Sequence, residues 1–289
     1  MEGLESLKGL VLVGSFRHHA HCMADPMKAA DSGATRTATL GRVIFVASLV
    51  ALGITGLVRK DFVPVWTGVP KGFPARASVA WLCAFISLGS GLGLMWRRAA
   101  AIASRVLLGF LVLWMLLFRL PLLVRAPRAS EAWWVCGETA VMTAGAWVLF
   151  VWFAGDRVGS RLGFATGNRG LRIASVLYGV GLIPFGVAHF TFLQRTVSMV
   201  PAWLPWHLAW AYFTGAAFVV AGVAIVLGRF GRLATTLSAL QMGLFTLLVW
   251  GPILIAGPDA ANWDEIVDSW ALTAAGWLVA ESYRGGRAG

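Results

Sequence analysis

Six ionisable side chains stand inside or at the edges of apolar stretches of this sequence: Asp61, Arg119, Glu138, His189, His207 and Asp268. A charge inside a bilayer is costly and is normally paired with another group facing the protein interior. Arg119 lies about five residues before the end of one apolar run and Glu138 about five residues into the next, so a helical hairpin places both about 7 Å below one interface. An Arg119–Glu138 ion pair is expected, either as a staple of the hairpin or as part of a functional polar site. Asp268 needs its own partner, for which His189 and His207 are the candidates. A histidine beside a carboxylate suits a proton path or a quinone headgroup; a histidine at a membrane interface also suits simple anchoring. Two His and an Asp form a conceivable metal set, but no HxxxH or ExxH spacing puts two ligands on one helix face, and no metal site is expected. The tract His18-His19-Ala20-His21-Cys22 has metal-binding composition but lies in a polar tail. Walker loop, nucleophile elbow, HExxH and CxxCH patterns are absent.

The elements that must position these residues are long apolar runs. Of 289 residues, 58% are hydrophobic and 13% charged, against about 25% charged in soluble domains. There is too little polar surface to coat a water-soluble core of this length. Apolar runs fall near 42–58, 77–96, 104–124, 133–154, 173–192, 206–228, 233–255 and 266–282. Each matches a hydrocarbon core of about 30 Å at 1.5 Å per helical residue, and only helices satisfy the backbone of such runs in lipid. The expected fold is all-α and polytopic, with about eight transmembrane helices.

The net charge of +11 is spread singly and in pairs between the runs, as topology-setting loops require and as a nucleic-acid face does not. With eight spans, one side carries sixteen Lys and Arg and the other eight. The richer side is expected in the cytoplasm of a cell with this protein in its plasma or inner membrane, with both termini there. Cys22, Cys83 and Cys136 form no CxxC pair, and no disulfide framework is expected. Met23 and Met27 are alternative starts to Met1.

The sequence also repeats. At a shift of 131, Val69-Pro70, Pro74, Gly91, Arg98, Pro121 and Pro127 fall on Val200-Pro201, Pro205, Gly222, Arg229, Pro252 and Pro258. At 130, Glu138, Thr143 and Trp147 fall on Asp268, Thr273 and Trp277. At 128, Gly53 and Phe62 fall on Gly181 and Phe190, which sets Asp61 against His189. Arg119 falls on Trp250. Four spans per copy give two parallel four-helix repeats. The expected organisation is a cytoplasmic tail at 1–40, whose composition is compatible with disorder, a first copy at 41–156, a basic linker at 157–172 and a second copy at 173–289. Ala84 with Gly91, and Gly215 with Gly222, are expected helix-packing residues, and Gln241 an interhelical hydrogen bond.

Gly186-Val-Ala-His-Phe190, Val200-Pro-Ala-Trp-Leu-Pro205, Tyr212-Phe-Thr-Gly215 and Ala221-Gly222 resemble the DoxX-like membrane protein superfamily, four-span units with a Pro-rich outer loop before a glycine-spaced second helix. The first copy is similar more loosely, with Arg59-Lys-Asp-Phe62 in place of Ala-His-Phe. The resemblance implies a membrane subunit or partner of a quinone-linked redox system, and it supplies no catalytic residue for this chain. An autonomous enzyme is not expected. A small-solute transporter and a non-catalytic scaffold are the alternatives; transporter sites lie at the midplane, where this sequence has few ionisable groups. Lipid, and a redox protein, are the expected partners.

Overall fold

The computed structural model describes the backbone of residues 26–154 and 160–285. The His18–Cys22 tract, the upstream part of the tail and part of the basic linker lie outside them. The described residues form α1 (Pro26–Arg59), α2 (Arg76–Met95), α3 (Ala100–Arg125), α4 (Ser130–Ala154), α5 (Gly167–Thr191), the short α6 (Leu193–Met199), α7 (His207–Val226), α8 (Gly231–Ala256) and α9 (Ala260–Gly285). No strand occurs among them. From Pro26 the expected tail is already helical. The chain divides into Met1–Arg36 and Thr37–Gly289; everything below concerns the second unit.

Seven helices are long and apolar enough to cross a membrane: α1 from Leu40, α2, α3, α4, α5, α7 and α8. The chain is a multi-pass membrane protein by that measure. The eighth expected run, 266–282, lies within α9, which is long enough at 26 residues but carries Asp264, Glu265, Asp268 and Glu281 and falls short of the same apolar standard. Its position explains this. Ala271, Ala274, Ala275, Leu278 and Val279 of α9 are buried, and the helix packs on α4 and α8, so protein and not lipid is its solvent. The same logic separates two others: α4 has 67% of its span buried and is the least apolar of the seven, whereas α3 has 28% buried and is the most apolar.

Helix approach is set by small residues. A Cβ built on Gly222 of α7 would lie 2.6 Å from the carbonyl oxygen of Gly179 on α5, and one built on Gly179 would lie 2.9 Å from that of Gly222. In α1 and α2, a Cβ on Gly91 would lie 3.2 Å from the carbonyl oxygen of Val46. Gln241 Nε2 donates to the carbonyl of Thr214 on α7 at 2.9 Å, the interhelical bond expected of it. Across the middle, Gly145 of α4 and Ala275 of α9 meet directly.

Two local features occur in pairs 131 residues apart. Ala75 and Trp206, both at positive φ, precede α2 and α7. In α3 and α8 the α-helix gives way to a π-turn at Met115–Arg119 and Thr246–Trp250. The cause is local. Pro121 and Pro252 lack an N–H and crowd the preceding turn, so the helix widens just ahead of them. Packing corrects one sequence match, however. Gly53 meets Leu88 and Gly186 meets Val219; Gly56 meets Ala84 and Gly215 meets His189. With α2 and α7 offset by 131, α1 and α5 are therefore offset by 133, not 128. His189 corresponds to Gly56, and Asp61 is not its counterpart.

Candidate functional site

The π-turn in α3 aims Arg119 inward. Its side chain has 0% exposure, an expensive position for a guanidinium, and its donors are spent on neutral oxygens. Nε donates to Thr139 Oγ1 at 2.9 Å, Nη2 to the carbonyl of Val65 at 3.0 Å, and both Nη atoms to Thr67 Oγ1 at 3.3 Å. Val65 and Thr67 belong to the segment after α1, which dips into the bundle: Val63, Val65 and Trp66 are buried, and Trp66 Nε1 donates to Ser87 Oγ at 2.8 Å. Trp66, Phe110, Trp114 and Phe118 pack ring against ring, with Trp114 and Phe118 centroids 4.3 Å apart. Gly68, at φ +95°, completes the turn; a Cβ there would stand 3.1 Å from Arg119 Nη1, so both conformation and space call for glycine.

The expected Arg119–Glu138 ion pair does not form. Glu138 Oε1 instead accepts from Trp134 Nε1 one turn back on α4. The reason is helix phase: Thr139, the next residue, takes the face that meets Arg119, and Glu138 is rotated away. Arg119 remains within electrostatic reach of Glu138 and Asp268. Asp268, 4% exposed, has Glu138, Glu265, Arg119 and Asp264 as its charged neighbours, and its Oδ1 is buried without a hydrogen-bond partner. Neither histidine is its partner. His189 Nδ1 bonds the carbonyl of Phe185 within α5 at 2.8 Å, and its ring leans on Phe218. His207 opens α7 half-buried, with no side-chain hydrogen bond among the described residues. Glu138 and Asp268 therefore lie within electrostatic reach of Arg119 without a hydrogen bond or ion pair to it, while His189, His207 and Asp61 stand apart from them.

The second half answers Arg119 with Trp250, buried on the matching π-turn. A hydroxyl cluster stands beside it: Thr246 Oγ1 is 2.7 Å from Ser269 Oγ and 3.0 Å from Thr273 Oγ1. The residues that sequence reasoning missed are Val65, Thr67, Thr139, Thr246 and Ser269. Their signal was weak, since single hydroxyls in apolar helices usually bond their own backbone. No group of three or more His, Cys, Asp or Glu able to hold a metal occurs among the described residues.

Asp61 sits at the surface after α1. It accepts from the backbone N–H of Phe62 and from Arg76 Nη1 at 2.8 Å, and these donors, the backbone N–H first, hold its carboxyl below the usual aspartate range. A depressed folded-state value stabilises the fold above the unfolded aspartate pKa, and that contribution disappears as pH falls through the lower folded value. More than half the side chain is exposed, so Asp61→Asn is expected to shift the neutral-pH melting temperature little and to flatten its decline in acid. Thermal melts of variant and wild type across pH test this; a large loss at neutral pH contradicts it.

No family model, no curated protein and no solved structure matches the chain.

Proposed function

We propose that this chain is a membrane-embedded partner of a quinone-linked redox system, of DoxX-like type, whose buried centre holds an exchangeable proton on the Glu138–Asp268 carboxylate pair. The observation that carries this is the bare Oδ1 of Asp268, buried within electrostatic reach of Glu138 and of an arginine whose donors are engaged elsewhere. A buried carboxylate oxygen without a donor is costly, and a proton shared with its neighbour is the smallest group that relieves it. Reduction of a quinone consumes protons, so a subunit that holds one near the bilayer surface is useful to a redox partner. The redox association itself rests on the motifs around His189 and Pro205.

A quinone headgroup does not fit this centre. The Arg119 nitrogens are bound to protein oxygens, and the rings of Trp66, Phe110, Trp114 and Phe118 are in mutual contact, with no ring-sized slot between them. The recurrence of caps, π-turns and packing pairs supports two parallel four-helix copies. The Lys and Arg distribution supports cytoplasmic termini and an Arg119 centre nearer the opposite surface.

Infrared difference spectra of the purified protein across pH are expected to contain a protonated-carboxyl band that is lost in Asp268→Asn and shifted in Glu138→Gln. Gentle purification is expected to bring a redox protein with it. Absence of the band removes the proton site; absence of any redox partner removes the redox assignment.

A further inference from the structure

A cleft of about 340 Å³ lies between the end of α1 and the start of α9, walled by Ile54, Thr55 and Val58 on one side and Trp263 on the other, with Arg59 and Asp259 at its rim. The corresponding cleft of the other half, between the end of α5 and the start of α4, is plugged. There α6 follows α5 directly, Phe192 packs on Trp134 with centroids 5.9 Å apart, and Arg195 lies over the Trp134 ring at 5.8 Å. After α1 the chain behaves differently: Val63, Val65 and Trp66 plunge into the bundle to reach Arg119. Among the described residues nothing fills the first cleft.

The chemistry of the cleft selects its occupant. Ile54 and Val58 are 49% and 75% exposed at the end of a membrane-spanning helix, so the open side faces acyl chains. An apolar hollow at that level fills with lipid. At headgroup height the rim carries the Arg59 guanidinium and the Asp259 carboxylate. Arg59 donates to Asp264 through Nη1 and to the carbonyl of Ala260 through Nη2. That arrangement fixes the fork in place and leaves Nε free for a further acceptor. Lys60 follows, exposed, at φ +57°, bonded back to Gly56 as the helix cap. Trp263 Nε1 reaches Thr55 Oγ1 at 3.3 Å, setting an amphipathic ring at the interface where such rings are favoured.

We propose that this cleft is a phospholipid site: one acyl chain lies against Ile54, Val58 and Trp263, and the phosphate is held by Arg59 and Lys60. The proposal is independent of the redox reading. Its test is native mass spectrometry of the whole protein released from lipid nanodiscs. Wild type is expected to retain one phospholipid. Val58→Trp fills the cleft from an exposed position and is expected to lower retention by about tenfold or more. Lys60→Gln is expected to lower it by about fivefold. Diacylglycerol with the same chains, lacking phosphate, is expected not to be retained. Melting curves of both variants confirm that the fold is kept. A wild-type protein that carries no lipid, a Val58→Trp protein that carries as much as wild type, or equal retention of diacylglycerol overturns the proposal.

Discussion

Arg119→Ala is expected to lower the stability of the bundle by about 3–5 kcal/mol, the range for removing one member of a buried charged network. The substitution strips the buried carbonyl of Val65 and the buried hydroxyl of Thr139 of their donor, each loss costing about 1–3 kcal/mol, and takes one partner from the exposed Thr67 hydroxyl. It frees the in-folded segment from its anchor, and it removes the cation nearest Glu138 and Asp268. Two further variants separate these effects. Arg119→Met keeps the volume and drops the charge. Arg119→Lys keeps the charge but cannot direct donors at once to Thr139 on α4 and to Val65 in the loop. Both are expected between alanine and wild type in thermal unfolding in mild detergent. If methionine is as stable as arginine, the charge contributes nothing and the centre is packing alone. If the charge matters through the carboxylates, Arg119→Met costs less in a Glu138→Gln, Asp268→Asn background, by about 1–3 kcal/mol of coupling.

The helices were legible because the bilayer writes its thickness into the sequence. All eight runs fall on observed helices, five wholly inside them and three overrunning an end by one or two residues, whereas the π-turns ahead of Pro121 and Pro252 were not foreseen, those prolines having been used only as repeat matches. What the runs conceal is helix phase. Equal depth was expected of Arg119 and Glu138; whether they touch depends on rotations of about 100° per residue, which passed the arginine to Thr139. The re-entrant segment was hidden for a related reason. Val63-Pro-Val-Trp66 is short and apolar, and nothing local distinguishes a loop lying on the bundle from one entering it. The neutral acceptors of Arg119 were therefore out of reach. The match of Asp61 to His189 failed because two shared letters, Gly and Phe, fixed a register that the Gly53–Leu88 and Gly186–Val219 contacts place five residues away. Glu138 and Asp268 lie on α4 and α9, two helices that pack on each other.

The Gly179–Gly222 crossing leads to the second large effect. Each glycine approaches the other's carbonyl oxygen closely enough that an added Cβ would sit 2.6 Å or 2.9 Å away, inside van der Waals contact. On the Gly222 side Ile183 also lies at 2.9 Å. The obstacle is backbone, which cannot rotate away as a side-chain end can. Gly222→Val must therefore push α5 and α7 apart along their whole contact, and a loss of about 3 kcal/mol or more is expected, at the upper end for overpacked sites. In lipid no hydrophobic force restores the lost contact, since the separated faces are solvated by acyl chains. Gly89 on α2 supplies the control. A Cβ there would meet nothing within 4 Å, and Gly89→Ala is expected to be neutral or to stabilise by up to about 1 kcal/mol through helix propensity. The pair of melts decides whether close approach or glycine itself matters. Equal losses at both positions would mean that helix propensity, not contact, sets the response, and a tolerated Gly222→Val would mean that α5 and α7 do not cross at these residues.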